Sequence, residues 1–182
     1  RPLPGVEVKV VDENGDSLPP RQVGEICIHS KGNMSGYWNL PEATAKTLVD
    51  GFVHTGDAGY LDEDGYVYVH DRVKDMIVSG AENVYPAEVE NAIFGHPAVA
   101  DVAVIGVPDD TWGEAVKAVV VRKPGHDAKE NEIIGFARER IAGFKCPKSV
   151  DFIDELPRNP TGKILKRELR KPYWEGRERM VN

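Results

Sequence analysis

The sequence predicts an α+β chain, in which a small β-barrel or sheet subdomain is followed by a compact α/β domain with a central three-stranded sheet and flanking helices. Three observations predict it. Up to about residue 70, short apolar runs alternate with clusters of turn residues. Beyond Arg72, apolar residues recur at helical spacing between longer hydrophobic runs. The composition is that of an ordinary globular protein: 182 residues, 41% hydrophobic and 29% charged, are enough for one medium domain or two small ones.

In the first part, Val6 to Val11, Val23 to His29 and Tyr66 to His70 read as strands. Asp12-Glu13-Asn14-Gly15 and Asp62-Glu63-Asp64-Gly65 read as tight turns, because Asn-Gly and Asp-Gly tolerate the positive φ of a sharp reversal. In the second part, Pro86 opens a helix whose apolar face is Val89, Ala92 and Ile93. Strands are expected at Val102 to Val107 and Val116 to Val121. Asp127 with Glu130 three positions later resembles a capping box, and Ile133, Ile134, Ala137 and Ile141 give one apolar helical face ending before Gly143. A last strand at Val150 to Ile153, a polar loop from Leu156 to Lys163 and a short basic helix from Ile164 complete the unit. The predicted division is 1–71, a hinge at 72–75, and 76–182, with no internal repeat.

Charge and cysteine content exclude several function classes. A net charge of -7 argues against nucleic acid, whose binding needs a dense Lys/Arg field to displace counterions. Two isolated cysteines, Cys27 and Cys146, are too few for a disulfide framework or a zinc site and read as packing residues in a reducing, cytoplasmic compartment. The five histidines show no metal-ligand spacing, and no apolar run approaches the ~18 residues of a membrane span. Arg1-Pro2-Leu3-Pro4-Gly5 leads straight into a strand without initiator Met or leader pattern, so the chain is expected to begin inside a larger polypeptide. Residues 1 to 70 are then a piece of a larger domain, and the apolar face they leave uncovered is expected to mediate self-association.

Single motifs decide little. Leu156-Pro157-Arg158-Asn159-Pro160-Thr161-Gly162-Lys163 ends in Gly-Lys, but Pro157 stands where a P-loop needs its first Gly and Ile164 where it needs Ser/Thr. What remains is a lysine on a Pro/Gly-shaped loop, by itself a solvated surface residue. His54-Thr55-Gly56-Asp57 reads as a tight polar turn whose Asp57 could accept two hydrogen bonds from a diol, or simply cap a turn. Val69 to Gly80, with alternating charges, reads equally as a salt-bridged hairpin.

Their joint order is more specific. Gly24-Glu25-Ile26-Cys27 with Gly36-Tyr37-Trp38-Asn39 and Pro41-Glu42-Ala43-Thr44, His54-Thr55-Gly56-Asp57, Asp71-Arg72-Val73-Lys74-Asp75, Ser79 to Glu90, and Pro157 to Lys163 follow one another. In this order the chain resembles the adenylate-forming superfamily of acyl-CoA synthetases, luciferases and peptide-synthetase adenylation domains, from Pro2 to about Arg170. The resemblance implies that residues 1–71 end a large adenylating domain and that 76–182 form its carboxyl-terminal lid. It implies ribose contacts from Asp57 and Arg72, a hinge at Lys74, and a catalytic, nucleotide-binding Lys163 that reaches the α-phosphate and carboxylate oxygens. Ser79, Gly80 and Ala81 would border the pantetheine tunnel. Ala81 stands where the family has a second glycine, and Val78 where some plant-type relatives carry a lysine.

The implied activity is an acid–thiol ligase that makes acyl-AMP and then acyl-CoA, with ATP, Mg²⁺ and CoA. No metal ligand is expected among these residues. Overall likeness to bacterial enzymes and the Pro172-Tyr173-Trp174-Glu175-Gly176-Arg177 tail point to a long- or medium-chain fatty acid, and to a cytoplasmic enzyme, with peripheral membrane attachment left open. The phosphate loop and acyl pocket lie outside these residues, so this chain is expected to be inactive without the preceding domain. Two alternatives stay open: an aryl-CoA ligase or carrier-protein-loading adenylation domain, and a noncatalytic module that uses the lid fold for binding.

Overall fold

A computed structural model describes residues 1–176. Arg177 and the end of the expected 76–182 domain lie outside the described residues. The chain divides into two compact units, Arg1–Val73 and Lys74 onward.

The first unit is built on an antiparallel sheet. Strand β1 (Val6–Val11) pairs with β2 (Gly24–Ser30), and a helix α1 (Pro41–Thr47) follows with Pro at its first turn. A two-residue strand β3 (Leu48–Val49), the long β4 (Phe52–Leu61) and β5 (Val67–Arg72) complete it, in the order β1-β2-β4-β3 with β5 also on β4. Both expected Asp-to-Gly turns are present and are built alike. In each, the Asp side chain accepts two backbone N–H groups, from Asn14 and Asp16 on Asp12 and from Asp64 and Tyr66 on Asp62. Val10, Val11, Ile26, Cys27 and Ala58 are buried in this unit, whereas Leu3, Trp38 and Leu40 are exposed.

A 3₁₀ turn (Val73–Asp75) spans the boundary, and the second unit continues with a short hairpin, β6 (Ile77–Ser79) and β7 (Glu82–Val84). Helix α2 (Pro86–Phe94) has Pro86 at its start and buries Val89, Ala92 and Ile93, as the spacing predicts. The three expected strands are β8 (Val99–Asp109), β9 (Gly113–Arg122) and β10 (Ser149–Ile153). Strand β9 is central, antiparallel to β8 and parallel to β10. The β6–β7 hairpin extends this sheet to five strands through Ser79 opposite Gly113. Because both faces are covered, β8 and β9 are nearly continuous apolar runs. Val102, Val104, Val116, Ala118 and Val120 face a core shared with α2 and with α3 (Glu130–Arg138). Ala103, Ile105, Val107, Ala115 and Val119 face the other way, toward the loop residue Leu156 and toward Leu169 of the last helix, α4 (Lys166–Trp174).

Several local expectations are corrected. His54-Thr55-Gly56-Asp57 lies within β4, with Gly56 at φ +70° and a shift of register nearby, and is not a reversal. Val69 to Gly80 is no hairpin: β5 pairs with β4 and β6 with β7 and β9. Asp127 does not cap α3. The Lys129 N–H donates to Glu132 Oε2 at 2.6 Å, and Glu130 instead accepts the Val150 N–H at 2.9 Å. The helix stops at Arg138, so Ile141 packs on the core from outside it. The basic helix begins at Lys166, because Ile164 bridges back to Arg158.

Candidate active site

In the first unit, Asp57 and Arg72 are cross-strand partners in the β4–β5 ladder. Arg72 NH1 lies 3.1 Å from Asp57 Oδ1 and donates to the Thr55 carbonyl at 3.0 Å. The Asp57 side chain stays 39% exposed, so its carboxylate keeps acceptor capacity for a ligand diol. The turn of backbone before it is fixed from β2. Glu25 Oε1 accepts the Gly56 N–H at 2.8 Å and Oε2 bonds His54 Nδ1 at 2.7 Å, while Thr55 Oγ1 donates to the Ile26 carbonyl and accepts the Asp57 N–H.

Glu25, Cys27 and His54 each bring a ligand-type atom within 4.8 Å of the others. Sequence spacing gave no sign of this, since the three meet only through β2–β4 pairing. The contacts of Glu25 make the cluster a brace for the backbone leading to Asp57. Both Glu25 oxygens are engaged, by the Gly56 N–H and by His54, and burial, with Glu25 adding to it, pushes the Cys27 thiol up to about 11.

In the second unit, Lys74 lies in the 3₁₀ turn, and Arg170 of α4 holds this stretch by donating to the Lys74 carbonyl at 3.4 Å and to Asp75 Oδ1 at 2.8 Å. Ser79 is buried, and Gly80 and Ala81 are exposed at the β6–β7 turn with φ +60° and +66°. Gly80 lies against the Trp112 ring and donates its N–H to the Trp112 carbonyl, and Trp112 is itself 49% exposed. The loop reading of Ser79 to Ala81 did not include Trp112, which reaches it from the β8–β9 turn.

Lys163 is exposed at the end of a tightly closed loop. Asn159 Oδ1 accepts the N–H groups of Thr161 (3.0 Å) and Lys163 (2.9 Å) and the Thr161 hydroxyl (2.8 Å). The Asn159 N–H donates to the Lys163 carbonyl, and Gly162 turns the chain at φ +86°. Among the described residues no ion pair engages the Lys163 ammonium. Arg158 joins this loop to the sheet, donating to the Gly162 carbonyl (2.6 Å) and to Asp101 Oδ2 (2.5 Å). Asn159 lies in the stretch expected to be a Pro/Gly-shaped loop, with no role assigned to it; Asp101, 57 residues from Arg158, carried no signal.

Taken separately, a cation on a pre-ordered loop can meet an anionic group, and a carboxylate with spare acceptors can meet hydroxyl groups. Comparison with known proteins gives the same direction. Residues 88–163 match the AMP-binding enzyme C-terminal domain, and residues 1–38 match the AMP-binding enzyme family. The chain is 53% identical over 181 residues, all but one of its own, to a fatty acid–[acyl-carrier-protein] ligase, ScoC, of Streptomyces coeruleorubidus, of which it covers 35%. It is 50% identical over 92% of its length to a feruloyl-CoA synthase of Amycolatopsis sp, covering 34% of that protein. Among solved structures, ATP-bound MatB from Rhodopseudomonas palustris superposes with a TM-score of 0.87 and 44% identity, over 94% of this chain and 34% of that one. The chain thus spans about a third of the length of these relatives. It belongs to the adenylate-forming superfamily of AMP-binding enzymes.

Proposed function

We propose that this chain is the hinge and lid portion, with the adjoining β subdomain, of an ATP-dependent ligase that activates a carboxylic acid as acyl-AMP and passes the acyl group to the thiol of CoA. The acid in this reading is a fatty acid of medium or long chain. Support for the acid comes from the 53% identity to a fatty acid–[acyl-carrier-protein] ligase and for the CoA acceptor from a long-chain-fatty-acid–CoA ligase of Escherichia coli at 45%; the feruloyl-CoA synthase at 50% keeps an aryl acid as the second reading, and the first relative keeps a carrier-protein acceptor.

The roles follow from charge and position. Attack of a carboxylate on an α-phosphorus gathers negative charge on oxygens that already repel one another. Lys163 offers a compact cation there, on a loop whose backbone is ordered beforehand by Asn159. Asp57 accepts hydrogen bonds from the ribose hydroxyls, and Arg72 orients Asp57 and adds a donor. Mg²⁺ on the nucleotide phosphates supplies further positive charge when bound. Lys74 serves as the pivot, and Ser79, Gly80 and Ala81 line the path of the pantetheine thiol in the second half-reaction.

The observation that carries the reading is Lys163, an exposed cation without an ion-pair partner among the described residues. In the longer polypeptide, Lys163→Ala is expected to slow acyl-AMP formation by about 10²- to 10³-fold, the range for loss of one charge-stabilising donor. Thioester formation from supplied acyl-AMP should persist. Equal loss of both steps would overturn the assignment, and a panel of fatty and aryl acids in the same assay separates the two substrate readings.

A further inference from the structure

We propose that Asp101 and Arg158 form a positioning pair that aims Lys163, an inference that rests on the reading of Lys163 as the adenylation cation. The Asn159 bonds fix the loop's internal shape but leave its direction relative to the sheet undetermined, because they begin and end within residues 159–163. Direction is set by what ties the loop to β8. Leu156, fully buried, and Ile164, packed against the same core, anchor its two ends. The only polar tie from β8 described for its tip is the guanidinium of Arg158, whose NH1 holds the Gly162 carbonyl while NH2 holds Asp101.

Asp101 is a rigid base for this tie. It sits beside a register shift in the β8–β9 ladder, and its Oδ1 accepts the Val102 N–H at 2.9 Å, leaving Oδ2 directed at Arg158. The guanidinium fork can serve two acceptors in one plane, which an ammonium cannot do. The Gly162 carbonyl belongs to the peptide unit that continues into Lys163, so holding it fixes the direction in which the lysine leaves the backbone. As a partly exposed ion pair the contact adds little to global stability. Its effect is on placement, where a displacement near 1 Å can cost as much as 10²-fold in rate.

The test uses the longer polypeptide, with acyl-AMP formation and thioester formation from supplied acyl-AMP measured separately. Asp101→Ala should lower the rate of acyl-AMP formation by about tenfold, with the KM for ATP and the thioester rate unchanged. Arg158→Lys should behave alike, and so should Asp101→Asn, whose single carbonyl oxygen cannot serve both Val102 and Arg158. In a Lys163→Ala background Asp101→Ala should add nothing, since there is no ammonium left to misplace. The same loss with and without Lys163, or parallel loss of both half-reactions, would overturn the pairing. If Lys163→Ala alone leaves adenylation intact, the reading of Lys163 fails, and the clamp is judged on the loop itself. Cleavage after Lys163 by a lysine-specific endoprotease should then be about tenfold faster in Asp101→Ala, and unchanged cleavage would overturn it.

Discussion

Glu25 and His54, 29 residues apart, meet at 2.7 Å across β2 and β4, and the second Glu25 oxygen takes the Gly56 N–H at 2.8 Å. One carboxylate thus braces the backbone leading to Asp57. Glu25→Ala leaves the Gly56 N–H without this acceptor in a half-buried position and should destabilise the first unit by about 1–3 kcal/mol. Glu25→Gln keeps one acceptor oxygen and should cost less. Chemical denaturation followed by hydrogen exchange at Gly56 checks both, and parental stability in Glu25→Ala would show that the brace is dispensable.

Two neighbouring residues at the β6–β7 turn should respond in opposite directions. A Cβ at Gly80 would lie 2.5 Å from Trp112 Cε3 in a backbone already at φ +60°, so Gly80→Ala should destabilise the second unit by about 1–3 kcal/mol or displace the indole. Ala81 already carries the strain of φ +66°. Ala81→Gly relieves about 1–2 kcal/mol of left-handed strain and returns part of it as chain entropy, for a net gain of about 0.5–1 kcal/mol. Thermal melts and Trp fluorescence read both changes.

Tyr173 on α4 donates its hydroxyl to Asp151, whose other oxygen accepts from Lys117 at 2.7 Å. Burial first, then this hydrogen bond, push the Tyr173 hydroxyl up to about 12. Its folded pKa lies above the unfolded one, so its contribution is complete below about pH 10 and is lost as pH rises through about 12. Asp151 works at the other end. Burial raises it, but the bonds from Lys117 and Tyr173 outweigh burial and hold it below the usual carboxylate range, so its contribution is lost as pH falls through that lowered value. Tyr173→Phe should flatten the alkaline limb of stability against pH, and phenolate absorbance of the parent should lag that of an exposed tyrosine. An unchanged alkaline limb would refute the assignment.

Arg170 and Asp75 form a largely buried pair, 13% and 14% exposed, that fastens α4 to the first turn of the second unit. Asp75→Ala strands the guanidinium and should cost about 3–5 kcal/mol. Hydrogen exchange should show the loss in both α4 and Val73–Asp75. Loss confined to one of them would mean the two segments are held independently.

What the sequence made legible was whatever local chemistry dictates. Pro86 with Val89, Ala92 and Ile93 gave α2, and two Asp-to-Gly turns gave reversals. Long apolar runs gave β8 and β9. Misreadings arose where a partner distant in sequence decides the outcome. Gly56 looks like a turn former and does take a positive φ, yet pairing of its neighbours His54 and Asp57 keeps the strand running through it instead of reversing. Asp127 looks like a cap, yet the Glu132 carboxylate takes the first N–H. Strand β3, two residues long, has too little length to show a period. At the candidate site, motif order singled out Asp57, Arg72 and Lys163. Glu25, Asp101 and Trp112 emerge only when the sheets pair.

The Asp57–Arg72 relationship has a bearing on how this chain can vary in length. Because ladder register sets their separation, the 14 residues between them contribute nothing to it except through pairing. The reversal at Asp62 to Gly65 lies at the far end of the hairpin, so insertions or a fused tag at its tip should leave the two side chains opposed. A single residue added within Val67–Arg72 has the opposite result: it turns Arg72 to the other face of the sheet. The tip is therefore the place to graft a reporter, and the strand beside it is a place where indels are not neutral.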